Sequence, residues 1–169
     1  MDYIYNDKQF DNIIRDVMND IEFKEIDTCV HHGISRLEHS LRVSYYSYKV
    51  TKALKLDYKE TAIAGLLHDF FLSKNLNVSD KFTSMFEHPK KAIENAESHF
   101  YLSDMQKDII SSHMFPLIPN KPPKFLESWI VSMVDKGAAV YEFWYSISRR
   151  FKFKFENAMI LALFFLNRF

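Results

Sequence analysis

"LDYKETAIAGLLHDFF", residues 56–71, is the stretch on which the fold turns. Its apolar residues recur at three- and four-residue spacings and do not alternate, which predicts a helix starting near Tyr58. Near the C-terminal end of that helix, His68 and Asp69 stand side by side in an otherwise greasy run. An aspartate is seldom buried without a partner, because taking a carboxylate out of water unpaired is costly. Something elsewhere in the chain has to satisfy this pair.

Helical periodicity continues on both sides. Phe10, Ile13, Ile14, Val17 and Ile21 mark an amphipathic first helix over residues 7–23. Gly33 breaks the chain, and "SRLE" (residues 35–38) reads as a capping box that opens a second helix running to about Leu54. Residues 73–87 are polar and weakly periodic, which predicts an irregular connection. A fourth helix is expected from Pro89 to Phe100, since proline suits a first helical turn. A fifth lies in "LSDMQKDIISSHM", where Ser103 and Gln106 repeat the cap pattern. "PLIPNKPPK" is a loop, residues 125–148 form a long sixth helix, and the tail from about Phe155 a seventh. Glycine and proline number only 3 and 5, so few places can turn sharply. The expected fold is all-α, a single-domain bundle of about six to seven helices over residues 1–169.

The balance of charge narrows the partners. Lys+Arg and Asp+Glu both total 22, so no basic excess points to nucleic acid. A lone cysteine, Cys29, excludes an internal disulfide framework and fits a reducing compartment. The N-terminal segment has acids where a signal peptide would be basic, and "AMILALFFL" falls far short of the roughly 20 apolar residues that cross a bilayer. The expectation is a soluble cytoplasmic protein with no membrane partner.

Four more ionisable residues sit where a core is expected: His39 on the second helix, His88 opening the fourth, His113 closing the fifth, and Asp135 among apolar and small residues of the sixth. Imidazole nitrogen and carboxylate oxygen together suit first-row divalent metals, and a cation is the strongest partner a desolvated carboxylate can find. His31, His32 and His99 have little beyond residue type to recommend them.

The ordered set His39, His68-Asp69, Asp135 resembles the HD superfamily of metal-dependent phosphohydrolases. "EHSLRVS", "AGLLHDF" and "VSMVDKGAAVYE" look like its first, second and last motifs, over a core of about residues 35–142. His88 and His113 fall in the interval where members with a two-metal centre carry extra histidines. The resemblance therefore implies six ligands, His39, His68, Asp69, His88, His113 and Asp135, with Asp69 as the bridge between two ions. The pattern is similar to that of small bacterial HD hydrolases that cleave diadenosine tetraphosphate symmetrically. "HDFFLSK" departs from subfamilies that continue the pair with Gly-Lys. No Gly-Tyr-Pro is present, and the Glu-Asp of guanosine-tetraphosphate hydrolases is missing.

The resemblance implies a metal-dependent phosphohydrolase acting on a nucleotide or other small phosphorylated substrate. One or two divalent ions per chain (Fe, Mn, Zn, Ni, Co or Mg) would lower the pKa of a bound water and polarise a phosphoryl oxygen. Asp69 is also a candidate general base. Arg42, one turn after His39, is the first candidate for a phosphate contact, Lys136 the second and Lys74 a third. Phe70, Phe71, Tyr141, Phe143 and Trp144 lie near motif positions, but aromatics at helical spacing are usually core. Two other classes stay open: a metal-binding module that senses or interacts without catalysing, and a helical interaction protein without metal.

Overall fold

A computed structural model describes residues 6–31, 34–71, 81–119 and 121–166, with side chains outside 30–31, 81–85 and 149–166. Among the described residues, seven α-helices follow one another: α1 (Lys8–Asn19), α2 (Ile21–Lys24), α3 (Arg36–Ala53), α4 (Tyr58–Leu67), α5 (Lys81–His99), α6 (Asp104–Ser112) and α7 (Leu126–Leu166). A 3-10 turn (Glu25–Thr28) precedes β1 (Val30–His31), which pairs antiparallel with β2 (Ile34–Ser35). The protein is all-α apart from this small hairpin.

The caps explain most of the helix starts. Asp7 accepts the Gln9 and Phe10 amides, Ser35 the Glu38 amide and Asp57 the Lys59 and Glu60 amides. At α6 the expected box is complete, with Ser103 and Gln106 serving each other's backbone. Each cap satisfies amides that a helix start leaves without an internal acceptor.

Several boundaries differ from the sequence reading. The first helix breaks at Asp20, which turns extended and uses its carboxylate to cap α2 at the Phe23 amide. The fourth predicted helix starts well before Pro89, so residues 81–87 of the expected irregular connection are helical. Proline in a helix interior deletes one ladder bond, to the carbonyl four residues back, and α5 carries that loss. The sixth and seventh predicted helices are one, α7, which runs 41 residues. α4 ends at Leu67, one residue before His68. Among the described residues, no helix is long and apolar enough to cross a membrane.

α4 is the central helix, packed against α1, α3, α6 and α7. Its closest neighbour is α3, whose Ser40, Ser44, Ser47 and Thr51 are buried. Ser44 donates to the Ala62 carbonyl at 2.6 Å. A Cβ added to Gly65 would lie 3.1 Å from the Ser44 Cα, so the two backbones meet where no side chain intervenes. Around this seam the core gathers Phe10, Phe23, Val43, Tyr48, Leu66, Leu67, Phe70, Ile109 and Val131. Phe70 and Phe71 are buried, as core aromatics should be, while Tyr141, Phe143 and Trp144 are exposed. On the far side, buried Glu127 accepts the Asp57 amide at 3.1 Å. Asp108 accepts the Lys124 amide and the Ser128 hydroxyl, fixing α7 to α6.

His99 has a structural setting. Its Nδ1 lies 2.9 Å from Asp20 and its Nε2 pairs with Glu22, which joins the end of α5 to α2.

This packing has two testable outcomes. Gly65→Leu forces α3 and α4 apart, and urea unfolding should show a loss of about 1–3 kcal/mol or more. The imidazole of His99 is held above its usual pKa, burial being outweighed by Asp20 and Glu22. Its contribution is then complete below the unfolded-state value near about 6.5 and fades as pH rises through the folded-state value. The stability gap between wild type and His99→Gln should narrow between mildly acidic and alkaline pH, as measured by urea unfolding; a constant gap would contradict this pairing.

Candidate metal centre

The last turn of a helix leaves carbonyls with no amide four residues on. His68, the residue closing α4, turns its Nδ1 back onto one of these, the Gly65 carbonyl, at 2.8 Å. A carbonyl only accepts, so Nδ1 carries the proton and the Nε2 lone pair points the other way. That Nε2 is buried and has no hydrogen-bond partner. His113 closes α6 in the same manner, with Nδ1 on the Ile110 carbonyl at 2.6 Å.

The remaining histidines come from α3 and α5. His88 Nε2 meets His113 Nε2 at 2.9 Å. The His88 ring stacks on Phe71 with centroids 5.3 Å apart, and the Arg36 guanidinium lies 3.8 Å over the Phe71 ring. Arg36 also donates to the Phe71 carbonyl, so the column Arg36–Phe71–His88 is tied to the chain just past Asp69. His39 places Nε2 at 3.1 Å from Asp135 Oδ1 and Nδ1 at 2.9 Å from Glu142 Oε2.

Two carboxylates thread these rings. Asp69 directs Oδ2 toward His68 Nε2 at 3.8 Å, and Oδ1 toward His88 Nε2 at 3.6 Å and His113 Nε2 at 3.8 Å. Asp135 Oδ1 lies 3.8 Å from His68 Nε2 as well as close to His39. All six residues singled out in the sequence thus converge. They form three overlapping groups with metal-ligating atoms within 4.8 Å of one another: His39–His68–Asp69, His68–His113–Asp135 and Asp69–His88–His113.

The electrostatics favour a cation. Burial opposes ionisation of Asp69, yet the imidazoles of His68, His88 and His113 hold its carboxyl well below the usual carboxylate range. Asp135 is held low as well, burial being overcome by the His39 hydrogen bond. Burial would lower His39, but hydrogen bonds to Asp135 and Glu142 reverse the sign and push it up to about 10. His113 goes the other way, to about 3, through burial reinforced by His68 and His88. Burial likewise lowers His68. Buried imidazoles facing two carboxylates are a donor set suited to a divalent ion, and the His68 Nε2, which has no hydrogen-bond partner, is the atom such an ion would satisfy.

The cationic candidates are engaged. Arg42 donates to Glu142 and, at 2.9 Å, to Glu38. Lys136 donates to the His113 carbonyl and lies 3.2 Å from Asp135 Oδ2. Lys74 and His32 lie outside the described residues, and His31 stands in β1. Glu142 closes the motif "VSMVDKGAAVYE" but was not singled out as a site residue, although it stands seven residues after Asp135 and so on the same side of α7. Arg36 stands out in the sequence only as part of a cap, because its partner Phe71 is 35 residues away.

A concavity of about 310 Å³ flanks this end of the cluster, lined by Arg42, Tyr46, Val134, Gly137, Ala138 and Tyr141. A larger one, about 390 Å³, lies between α5 and the α6–α7 connection, and none of the six lines either concavity. The first is the one that adjoins His39 and Asp135 on their own helices.

The family model described as "HD domain" matches residues 36–139. Neither the search of curated proteins nor that of solved structures gave a match.

Zn²⁺ or Mn²⁺ added to chelator-treated protein should raise the melting temperature, by the equivalent of about 4 kcal/mol at a thousandfold excess over Kd. His68→Ala should remove most of that gain. A wild-type melting temperature indifferent to both ions would refute the metal site.

Proposed function

The chain belongs to the HD-domain family, a family of metal-dependent phosphohydrolases, and from that premise we propose that it hydrolyses a phosphate ester or anhydride of a nucleotide or another small phosphorylated compound. The observation that carries this reading is the convergence of His39, His68, Asp69, His88, His113 and Asp135 around a buried imidazole nitrogen with no partner. These six would hold the metal. When bound, a divalent ion supplies Lewis acidity toward a phosphoryl oxygen and makes water acidic enough to attack near neutral pH.

The chain's own groups divide the rest of the work. Asp69 offers one oxygen to His68's side of the cluster and the other to the His88–His113 side, which supports a bridging position and a two-metal centre. A carboxylate held this low suits binding a cation and accepting a hydrogen bond from the attacking water, and it is a weak acceptor for the proton itself. Arg42 borders the 310 Å³ concavity, where a phosphoryl or leaving group would lie. Two carboxylates already neutralise it, so a phosphate contact calls for exchange of Glu38, the half-exposed partner, for substrate oxygen. Lys136 fits support of Asp135 and of the α6 end better than direct contact with phosphate.

Within this reading, a two-metal centre of the kind that cleaves dinucleoside polyphosphates is favoured over a one-metal nucleotidase by the His88–His113 contact beside Asp69. The test combines elemental analysis with a screen over nucleotides, dinucleoside polyphosphates and sugar phosphates. Asp69→Ala should abolish both metal binding and turnover. His88→Ala should lose one of two ions. Activity surviving Asp69→Ala would refute the mechanism, and one ion unaffected by His88→Ala and His113→Ala would refute the second site. Full occupancy without turnover across the panel would assign the chain instead to a non-catalytic, metal-binding role.

A further inference from the structure

A histidine that holds a cation through Nε2 must keep its proton on Nδ1, and an acceptor at Nδ1 fixes that tautomer and the ring's orientation. His68 and His113 find that acceptor locally, in carbonyls that their helix ends leave free. His39 cannot. It is the fourth residue of α3, and the helix continues beyond it, so the preceding carbonyls are taken by amides four residues on. Its acceptor has to come from another element.

Glu142 supplies it from 103 residues away, with Oε2 at 2.9 Å from His39 Nδ1. This carboxylate is itself buried, and its other oxygen receives the Arg42 guanidinium, which Glu38 holds in turn at 2.9 Å. Asp135 and Glu142 lie two turns apart on one side of α7, so the His39 ring is clamped at both nitrogens by a single helix. The HD-domain match ends at residue 139 and does not reach Glu142.

We propose that Glu142 is a positioning residue that fixes the His39 ring with Nε2 aimed into the metal centre, and that Arg42 and Glu38 lock it in place. The inference rests on the metal-site reading above, not on turnover. A purely structural ion pair between α3 and α7 would use the same contacts, and the two are separable because reach and charge can be changed independently.

The experiment measures Zn²⁺ affinity by chelator competition for the full chain and for Glu142→Gln, Glu142→Asp and Glu142→Ala. It also records the His39 Nδ1–H proton resonance of the Zn²⁺-loaded proteins, assigned with His39→Gln. Gln keeps the reach and one acceptor oxygen but loses the charge; Asp keeps the charge and loses the reach. Positioning predicts about 10- to 100-fold weaker binding for Ala, about 10-fold for Asp and only a few-fold for Gln. The Nδ1–H signal should be protected from exchange in wild type and Gln, and lost in Asp and Ala. If Ala fails to fold, the Asp–Gln contrast decides alone. All variants within about threefold of wild type, or Gln weakened more than Asp, overturns the proposal. An absence of hydrolysis by a wild-type protein that binds Zn²⁺ would sink the proposed activity and leave this result standing.

Discussion

The approach of α3 to α4 at Ser44 and Gly65 governs the rest of the molecule. With no side chain at Gly65, the two backbones meet, and a Cβ there would sit 3.1 Å from the Ser44 Cα. Two of the seam's buried hydroxyls bond to nearby carbonyls, Ser44 to Ala62 and Thr51 to Ser47, while those of Ser40 and Ser47 have no hydrogen-bond partner among the described residues. Close approach brings His39 and His68 near enough for their ring centroids to lie 5.4 Å apart. Gly65 serves twice, since its carbonyl also orients His68. The same residue therefore sets both the spacing of the helices and the direction of the His68 Nε2.

From that seam the site assembles by using helix ends. His68 and His113 both sit where a helix has stopped and its carbonyls need donors, so the backbone does the orienting and no second side chain is needed. Asp69 follows His68 immediately, in the turn that the Phe70 amide closes onto the Leu67 carbonyl. His39 and Asp135, in helix interiors, depend on side chains instead. Hence the ion-pair chain Glu38–Arg42–Glu142–His39–Asp135 runs along the α3–α7 side. Burying so many ionisable groups is costly unless each has a partner, and the His68 Nε2 has no hydrogen-bond partner among the described residues.

Much of the helix pattern was legible, and the failures have separate causes. The box at Ser103 acts within three residues and was readable as it stands, whereas at Ser35 the hydroxyl caps the Glu38 amide and the Glu38 carboxylate takes Arg42. The break at Asp20 was not, because a polar residue at that point fits the solvent side of a longer helix equally well; its partners Phe23 and His99 decide the matter. Pro89 suggested a start since proline favours first turns, yet a single missing bond is a small deficit in a 19-residue helix. The expected boundary before Phe155 does not exist, and the 41-residue α7 simply continues through it. In the site, the six candidates converge, whereas the partners of Arg42 and the role of Glu142, the last residue of the quoted motif, went unread. A charged residue two turns from Asp135 signals a shared face, but not what lies across from that face.

The amino-acid sequence by itself determined the helical class, the order of the motifs and the chemical nature of the donors, because helical period, capping and ligand chemistry are properties of short segments. Tertiary structure alone decided which donors meet which. The His39–Glu142 and Arg42–Glu142 contacts join residues 103 and 100 positions apart, and the register at which α3 crosses α7 is set by core packing that no local pattern encodes. The position of His68 and His113 at helix ends was readable. That those ends would aim two buried lone pairs into one space, beside two carboxylates, emerged only from the fold.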